Sequence, residues 1–369
     1  MNTHLRRAAV AVAATAMAVS LAACGSAKEA GGDDGSGGGE KKKDGPLTIG
    51  LLLPEDQTAR YENFDRPLIE KRVKELCSDC EVSYVNAKED ASTQQQQMNS
   101  MITKKVDVII LDAVDAKSIA GSVTKADEAG IPVVAYDRLA EGPISAYTSF
   151  DNEEVGRVQA NALLEELGDK ADSGQIVMMN GSPTDPNAAM FKKGAKSVLD
   201  GKVKVGKSYD TTGWKPDEAN KNMNGALASL GKENIVGVYS ANDGMAGGII
   251  TALKGAGVDP LPPVTGQDAE LAGVQRIVAG EQFMTVYKPF QPEAYTAAEM
   301  AVALGRGEDP KAETTVDSAT TKGVPATLIK PISVTIDNLE DTVIKDGLYE
   351  VEEICTPKYK AACEKAGLL

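Results

Sequence analysis

From residue 47 onward, short apolar runs rich in Val and Ile alternate with longer stretches whose apolar residues recur at helical spacing. That is α/β patterning. Residues 47–53, 82–85, 106–111 and 131–136 read as buried strands, with helices over 59–76, 93–105 and 117–129 between them. Strands that are apolar throughout, separated by crossover helices, predict a parallel sheet covered on both faces, with ligand groups at the strand carboxyl ends. The pattern restarts with strands at 175–179, 203–209, 235–239, 264–267 and 283–287. A body of this size exceeds one comfortable sheet core, so two lobes with a cleft are expected. Aromatic residues make up only 4% of the chain, which leaves the packing of both cores to aliphatic side chains.

Two segments before residue 46 stand outside this pattern. Arg6 and Arg7 precede an apolar run from 8 to 21, and small residues lead to Leu21-Ala22-Ala23-Cys24. This is an export signal over 1–23 with a lipobox-like ending. It resembles bacterial lipoprotein signals, which implies Cys24 as a lipidated first residue. A secretory signal with an incidental cysteine would still export the chain; a retained membrane span would need roughly 20 apolar residues. After Cys24, residues 25–45 are Gly, Ser, Ala, Lys, Asp and Glu with no apolar run, so 24–45 reads as a tether. Its root-mean-square reach is roughly 25 Å.

Charge and composition then exclude several functions. Removing 1–23 takes the 39 basic residues to 37 against 54 acids, a net charge of −17. Nucleic acid is not an expected partner, because the basic run Lys41-Lys42-Lys43 lies in the tether and phosphate binding needs clustered cations. The single histidine, His4, falls in the signal, which removes Ser-His-Asp and Cys-His nucleophiles, His-ligated zinc and imidazole catalysis. Neither metal nor cofactor is expected. Cys77, Cys80, Cys355 and Cys363 make an even set in an exported chain; spacing favours pairing of near neighbours, although connectivity is not fixed by sequence.

Candidate chemistry lies where strands end. Tyr136-Asp137-Arg138, Ser240-Ala241-Asn242-Asp243-Gly244 and Gly266-Gln267-Asp268-Ala269 each follow an apolar run. A neutral polyol needs carboxylate acceptors beside cationic and amide donors, and these loops carry both. Taken singly, Asp243 and Asp268 also read as helix N-caps and Asp137-Arg138 as a surface ion pair; repetition at several strand ends favours a shared site. Trp214, the sole tryptophan, stands in the polar loop Thr211-Thr212-Gly213-Trp214-Lys215-Pro216 and is read as a stacking wall for a ligand, in preference to a core plug.

These stretches, with Leu53-Pro54-Glu55-Asp56, Ser149-Phe150-Asp151-Asn152-Glu153, Gly181-Ser182-Pro183, 284–289 and 341–347, closely resemble type I periplasmic-binding-protein-like sugar receptors of ABC transporters, and within them the xylose-binding branch. The resemblance covers about 47–347. It implies two similar lobes, 46–152 plus 290–326 and 153–289 plus 327–369, joined by three hinge strands and closing on one monosaccharide. Carried over, Arg60, Asp137 and Arg138 line the first wall, while Asn187, Trp214, Asn242, Asp243, Gln267, Asp268 and Lys288 come from the second lobe and hinge. Tyr61 stands where the xylose-binding branch has Trp, and is a second, smaller stacking surface. The implied function is a monomeric, non-enzymatic receptor on the outer face of the membrane that delivers an aldopentose to a permease. Glucose, galactose, arabinose, a chemosensory role and, from another class, a carboxylate-based glycosidase are the alternatives. The four extra cysteines and the tail beyond Tyr349 depart from the family pattern.

Overall fold

The computed structural model describes residues 45–369. The segment expected to be an export signal, the expected lipidation site Cys24 and the expected tether through Asp44 lie outside the described residues. The first half of the described chain builds β1 (Thr48–Leu53), α1 (Arg66–Leu76), β2 (Glu81–Asn86), α2 (Ala91–Lys104), β3 (Val108–Leu111), α3 (Ala120–Glu128), β4 (Val133–Tyr136) and β5 (Ala146–Phe150). The second builds α4 (Asn152–Leu167), β6 (Gln175–Asn180), α5 (Pro186–Leu199), β7 (Val205–Asp210), α6 (Pro216–Leu230), β8 (Ile235–Ser240), α7 (Asp243–Gly255), α8 (Leu271–Val278) and β9 (Thr285–Tyr287). Then come α9 (Phe290–Gly305), β10 (Thr314–Val316), β11 (Val324–Ile329), β12 (Ile332–Val334), α10 (Val351–Ile354) and α11 (Lys360–Ala366).

A seven-stranded sheet has the order β10-β11-β5-β4-β3-β1-β2 and is parallel except for β10 at its edge. Both faces are covered, which explains the unbroken apolar runs. Ile49, Leu51, Ile110, Val134 and Tyr136 point to α1 and α9, while Leu52, Ile109, Leu111, Val133 and Ala135 point to α2 and α3. Each Val, Leu or Ile side chain among them removed from water contributes about 1.5–3 kcal/mol. A second, three-stranded parallel sheet, β7-β6-β8, is flanked by α4, α5, α6 and α7. The expected strand at 264–267 survives only as a single bridge between Val264 and Val238.

The chain passes between the two sheets after β5, after β9 and after β11, where β9 and β12 pair as an antiparallel ribbon. β11 runs on to Ile329 beside β5, so residues 327–329, expected in the second lobe, belong to the first sheet. The crossing after β5 leads straight into α4, whose cap Asp151 accepts the Glu154 N–H at 2.9 Å. Caps of this kind are worth about 1 kcal/mol. Helix α4 packs on α5 backbone to backbone: a Cβ on Gly156 would lie 2.0 Å from the Phe191 carbonyl oxygen, and one on Gly194 2.0 Å from that of Glu153.

Two disulfides are formed, Cys77–Cys80 at the end of α1 and Cys355–Cys363 tying α10 to α11. Among the described residues, no helix is long and apolar enough to cross a membrane.

Candidate functional site

In the order of the seven-stranded sheet, β1 lies between β3 and β2, so the crossovers diverge there and open a crevice at the strand carboxyl ends. The polar segments that follow β1 and β4 enter that crevice from one side. Segments following β6, β7, β8 and the Val264 bridge enter it from the other, and Lys288 follows β9. Together they form one small cavity lined by Thr58, Arg60, Tyr61, Asp137, Arg138, Asp185, Asn187, Phe191, Trp214, Asn242, Gln267, Asp268 and Lys288.

Of the nominated residues, all but Asp243 line this cavity. Asp243 turns inward, where it accepts from Gln282 Nε2 at 2.6 Å, Thr285 Oγ1 at 2.9 Å and the Glu270 N–H at 2.9 Å. Burial raises its carboxyl to about 7, against the opposing pull of Arg276, Gln282 and Thr285. Neither suggested N-cap is one: Asn242 caps α7 by accepting the Met245 N–H, and Asp268 pairs with Lys288 at 2.9 Å. Thr58, Asp185 and Phe191 were not nominated. Asp185 sits at a Pro-containing helix start, which signals a cap, and it does accept the Asn187 N–H at 2.8 Å.

The first wall is held by charge. A π-helical turn, Tyr61–Asp65, begins beside Arg60 and folds Asp65 back onto it, so that Arg60 Nε and Nη2 donate to both Asp65 oxygens at 2.7 and 2.8 Å. Arg60 also reaches Glu293 at 2.5 Å and lies 4.5 Å over the Phe290 ring. Its Nη1 is left facing Asp137 Oδ1 at 3.6 Å. The Tyr61 hydroxyl donates to Asp137 Oδ2 at 3.0 Å and accepts from Arg138 Nη2 at 3.2 Å, tying the acid to the base. Burial pushes the Asp137 carboxyl up, but Arg60, Lys288 and Arg138 outweigh it and hold the group below the usual range. Asp137 is therefore an ionised acceptor.

The two walls also meet directly. Arg138 Nε lies 3.0 Å from Asp185, and Asn187 Nδ2 donates to the Asp137 carbonyl at 3.1 Å. Trp214 is 5% exposed within the core of the second sheet and also lines the cavity. Its Nε1 donates to Asp185 at 3.2 Å and its ring meets Phe191 edge-on, with centroids 6.3 Å apart. Asp137, Trp214 and Asp268 all adopt positive φ, of 54°, 56° and 88°. Such backbone costs of order 1–3 kcal/mol each and clusters where side chains must be aimed.

Among the described residues, the buried Arg60 Nη1, Asn187 Oδ1 and Gln267 Oε1 have no hydrogen-bond partner. One donor and two acceptors of this kind, each costing about 1–3 kcal/mol unmet, fit a ligand that both accepts and donates, as a hydroxyl does.

Comparison with known proteins follows the same lines. Residues 49–309 match the family model of the periplasmic binding protein domain. The chain is 40% identical over 314 residues to the D-xylose-binding periplasmic protein of Escherichia coli (strain K12), covering 84% of this chain and 92% of that protein. It is 33% identical to the multiple sugar-binding periplasmic receptor ChvE of Rhizobium radiobacter, over 83% of this chain and 92% of the receptor. Among solved structures, an ABC transporter solute binding protein from Clostridium phytofermentans with bound beta-D-glucose superimposes with a TM-score of 0.77 at 28% identity, covering 83% of this chain and 99% of its own.

Proposed function

The chain belongs to the periplasmic binding protein family, and on that premise we propose that it is the extracytoplasmic receptor of an ABC sugar importer, binding D-xylose between its two halves and presenting the closed form to a permease. The family consists of binding proteins, so the cavity's carboxylates serve as acceptors and not as acid and nucleophile. The observation that carries the reading is the convergence of Arg60, Asp137, Arg138, Asn187, Trp214, Asn242, Gln267, Asp268 and Lys288, drawn from both sheets, on one small cavity with unmet donors and acceptors.

In this mechanism the sugar's hydroxyls satisfy Arg60 Nη1, Asn187 Oδ1 and Gln267 Oε1 together only when the halves meet. Closure is then favoured by the free energy of those contacts, because they exist in one state and not the other. The three crossings after β5, β9 and β11 serve as the hinge. A lipid on Cys24 and the tether would keep the receptor at the membrane face.

Xylose is favoured by the 40% identity to a protein named for it. A broader aldose receptor is the second reading, supported by the likeness to a multiple sugar-binding receptor and to a glucose-bound structure. Trp214 lines the cavity and is the only indole, so titrating intrinsic fluorescence with xylose, arabinose, ribose, glucose and galactose ranks the ligands in one experiment. Xylose is expected to bind tightest. Comparable responses to several sugars would favour the broader receptor, and no response to any of the five would refute the sugar reading.

A further inference from the structure

The tail beyond 347 packs on the second half. Gln275 Nε2 of α8 donates to the Glu353 carbonyl at 3.0 Å, and Ile354 and Cys363 are buried in one apolar cluster with Val274, Ile277, Val278, Tyr287 and Val334. The Cys355–Cys363 bond closes the two short tail helices on each other. Phe64, from the first half, also packs on this cluster. Its ring meets Tyr349 edge-on at 5.8 Å and the tilted ring of Phe290 at 5.4 Å, and Phe290 lies beneath Arg60. A groove borders the contact, with Ala59, Asn63 and Phe64 on its first-half bank and Glu270, Leu271, Gln275 and Tyr349 on the other. The Tyr349–Phe64 pair is thus a bridge between the halves on the outer side of the turn that carries Arg60 and Tyr61.

We propose that the disulfide-closed tail is a clasp, with Tyr349 as a positioning residue that holds the closed form through Phe64 and so sets how long the ligand stays bound. The effect on ligand rests on the receptor reading above; the bridge between the halves does not. Tyr349 is buried and Phe64 half-buried, and an aromatic pair of this geometry translates into about a 2- to 12-fold change in an equilibrium constant.

Tyr349→Ala, Tyr349→Phe, Phe64→Ala and the double variant Phe64→Ala/Tyr349→Ala of the full chain would be compared by stopped-flow xylose binding, thermal melting and small-angle scattering without ligand. The expected result is a several-fold faster dissociation in Tyr349→Ala with an unchanged association rate, wild-type behaviour in Tyr349→Phe, and a double variant no worse than the worse single one. The ligand-free radius of gyration should also rise in Tyr349→Ala. If wild type binds no sugar the receptor reading falls, and the scattering comparison still decides the clasp. An unchanged dissociation rate and radius, strictly additive losses, or a loss in Tyr349→Phe equal to that in Tyr349→Ala would overturn it.

Discussion

Asp137→Asn tests the site at its electrostatic centre. The side chain is nearly the same size and Asn Oδ1 can still accept from Tyr61, so packing is preserved while one negative charge is removed from among Arg60, Arg138 and Lys288. Arg60 retains Asp65 and Glu293, and Arg138 retains Asp112 and Asp185, so neither cation is left bare. What is lost is the ionised acceptor that the proposed receptor would offer to ligand hydroxyls. Hydrogen bonds to charged groups are worth about 1.5–3 kcal/mol against roughly 0.5–1.5 for neutral ones, so two such bonds weakened together cost about 2–3 kcal/mol, or roughly 30- to 150-fold in affinity. Calorimetric titration with xylose at pH 7 measures this, with a thermal melt to confirm folding. Because its cationic neighbours hold Asp137 below the usual carboxylate range, the ratio of wild-type to variant affinity should stay constant from pH 5 to 8. A folded variant that binds within threefold of wild type would refute the assignment, as would a ratio that collapses at pH 5.

Two further outcomes follow from single contacts. Gly181→Ala places a Cβ 2.0 Å from the Trp214 ring, which must move; overpacking of this kind costs about 1–3 kcal/mol, and urea unfolding followed by tryptophan emission should show both the loss and a shifted native spectrum. Asp243 has a folded value of about 7, above its unfolded one, so the folded state binds more protons between about pH 4 and 7 and stability falls as pH rises through that window. Asp243→Asn should flatten that slope in melts taken from pH 4 to 8 and leave ligand affinity unchanged; parallel slopes would refute it.

The architecture was legible wherever burial is uniform. β1, β3, β4, β6 and β8 each carry a buried run that is apolar or Gly because helices cover both faces, and the polar segments after them mark the cleft. β5 escaped because Thr148 and Ser149 are fully buried polar residues that interrupt its pattern. β11 and β12 escaped because they are short or half exposed. In the site, Phe191 was invisible because an apolar residue on a helix face looks the same whether it lines a cavity or a core. Asp185 was hidden by its capping signature, since one carboxylate both caps α5 and pairs with Arg138 from the other half. Asp243 was drawn in by its position after Asn242, yet the first residue of a capped helix turns back under its own start, where Gln282 and Thr285 wait for it.

The seam between α4 and α5 has a consequence for how the molecule tolerates change. At Gly156 and Gly194 main chain rests on main chain, so there is no rotamer to swap and no methylene to shift when a neighbour grows. The hydrogen atoms at those two α-carbons act as the spacing gauge of the pair, and a chain built on this plan can vary its leucines more freely than it can lengthen either glycine by one carbon.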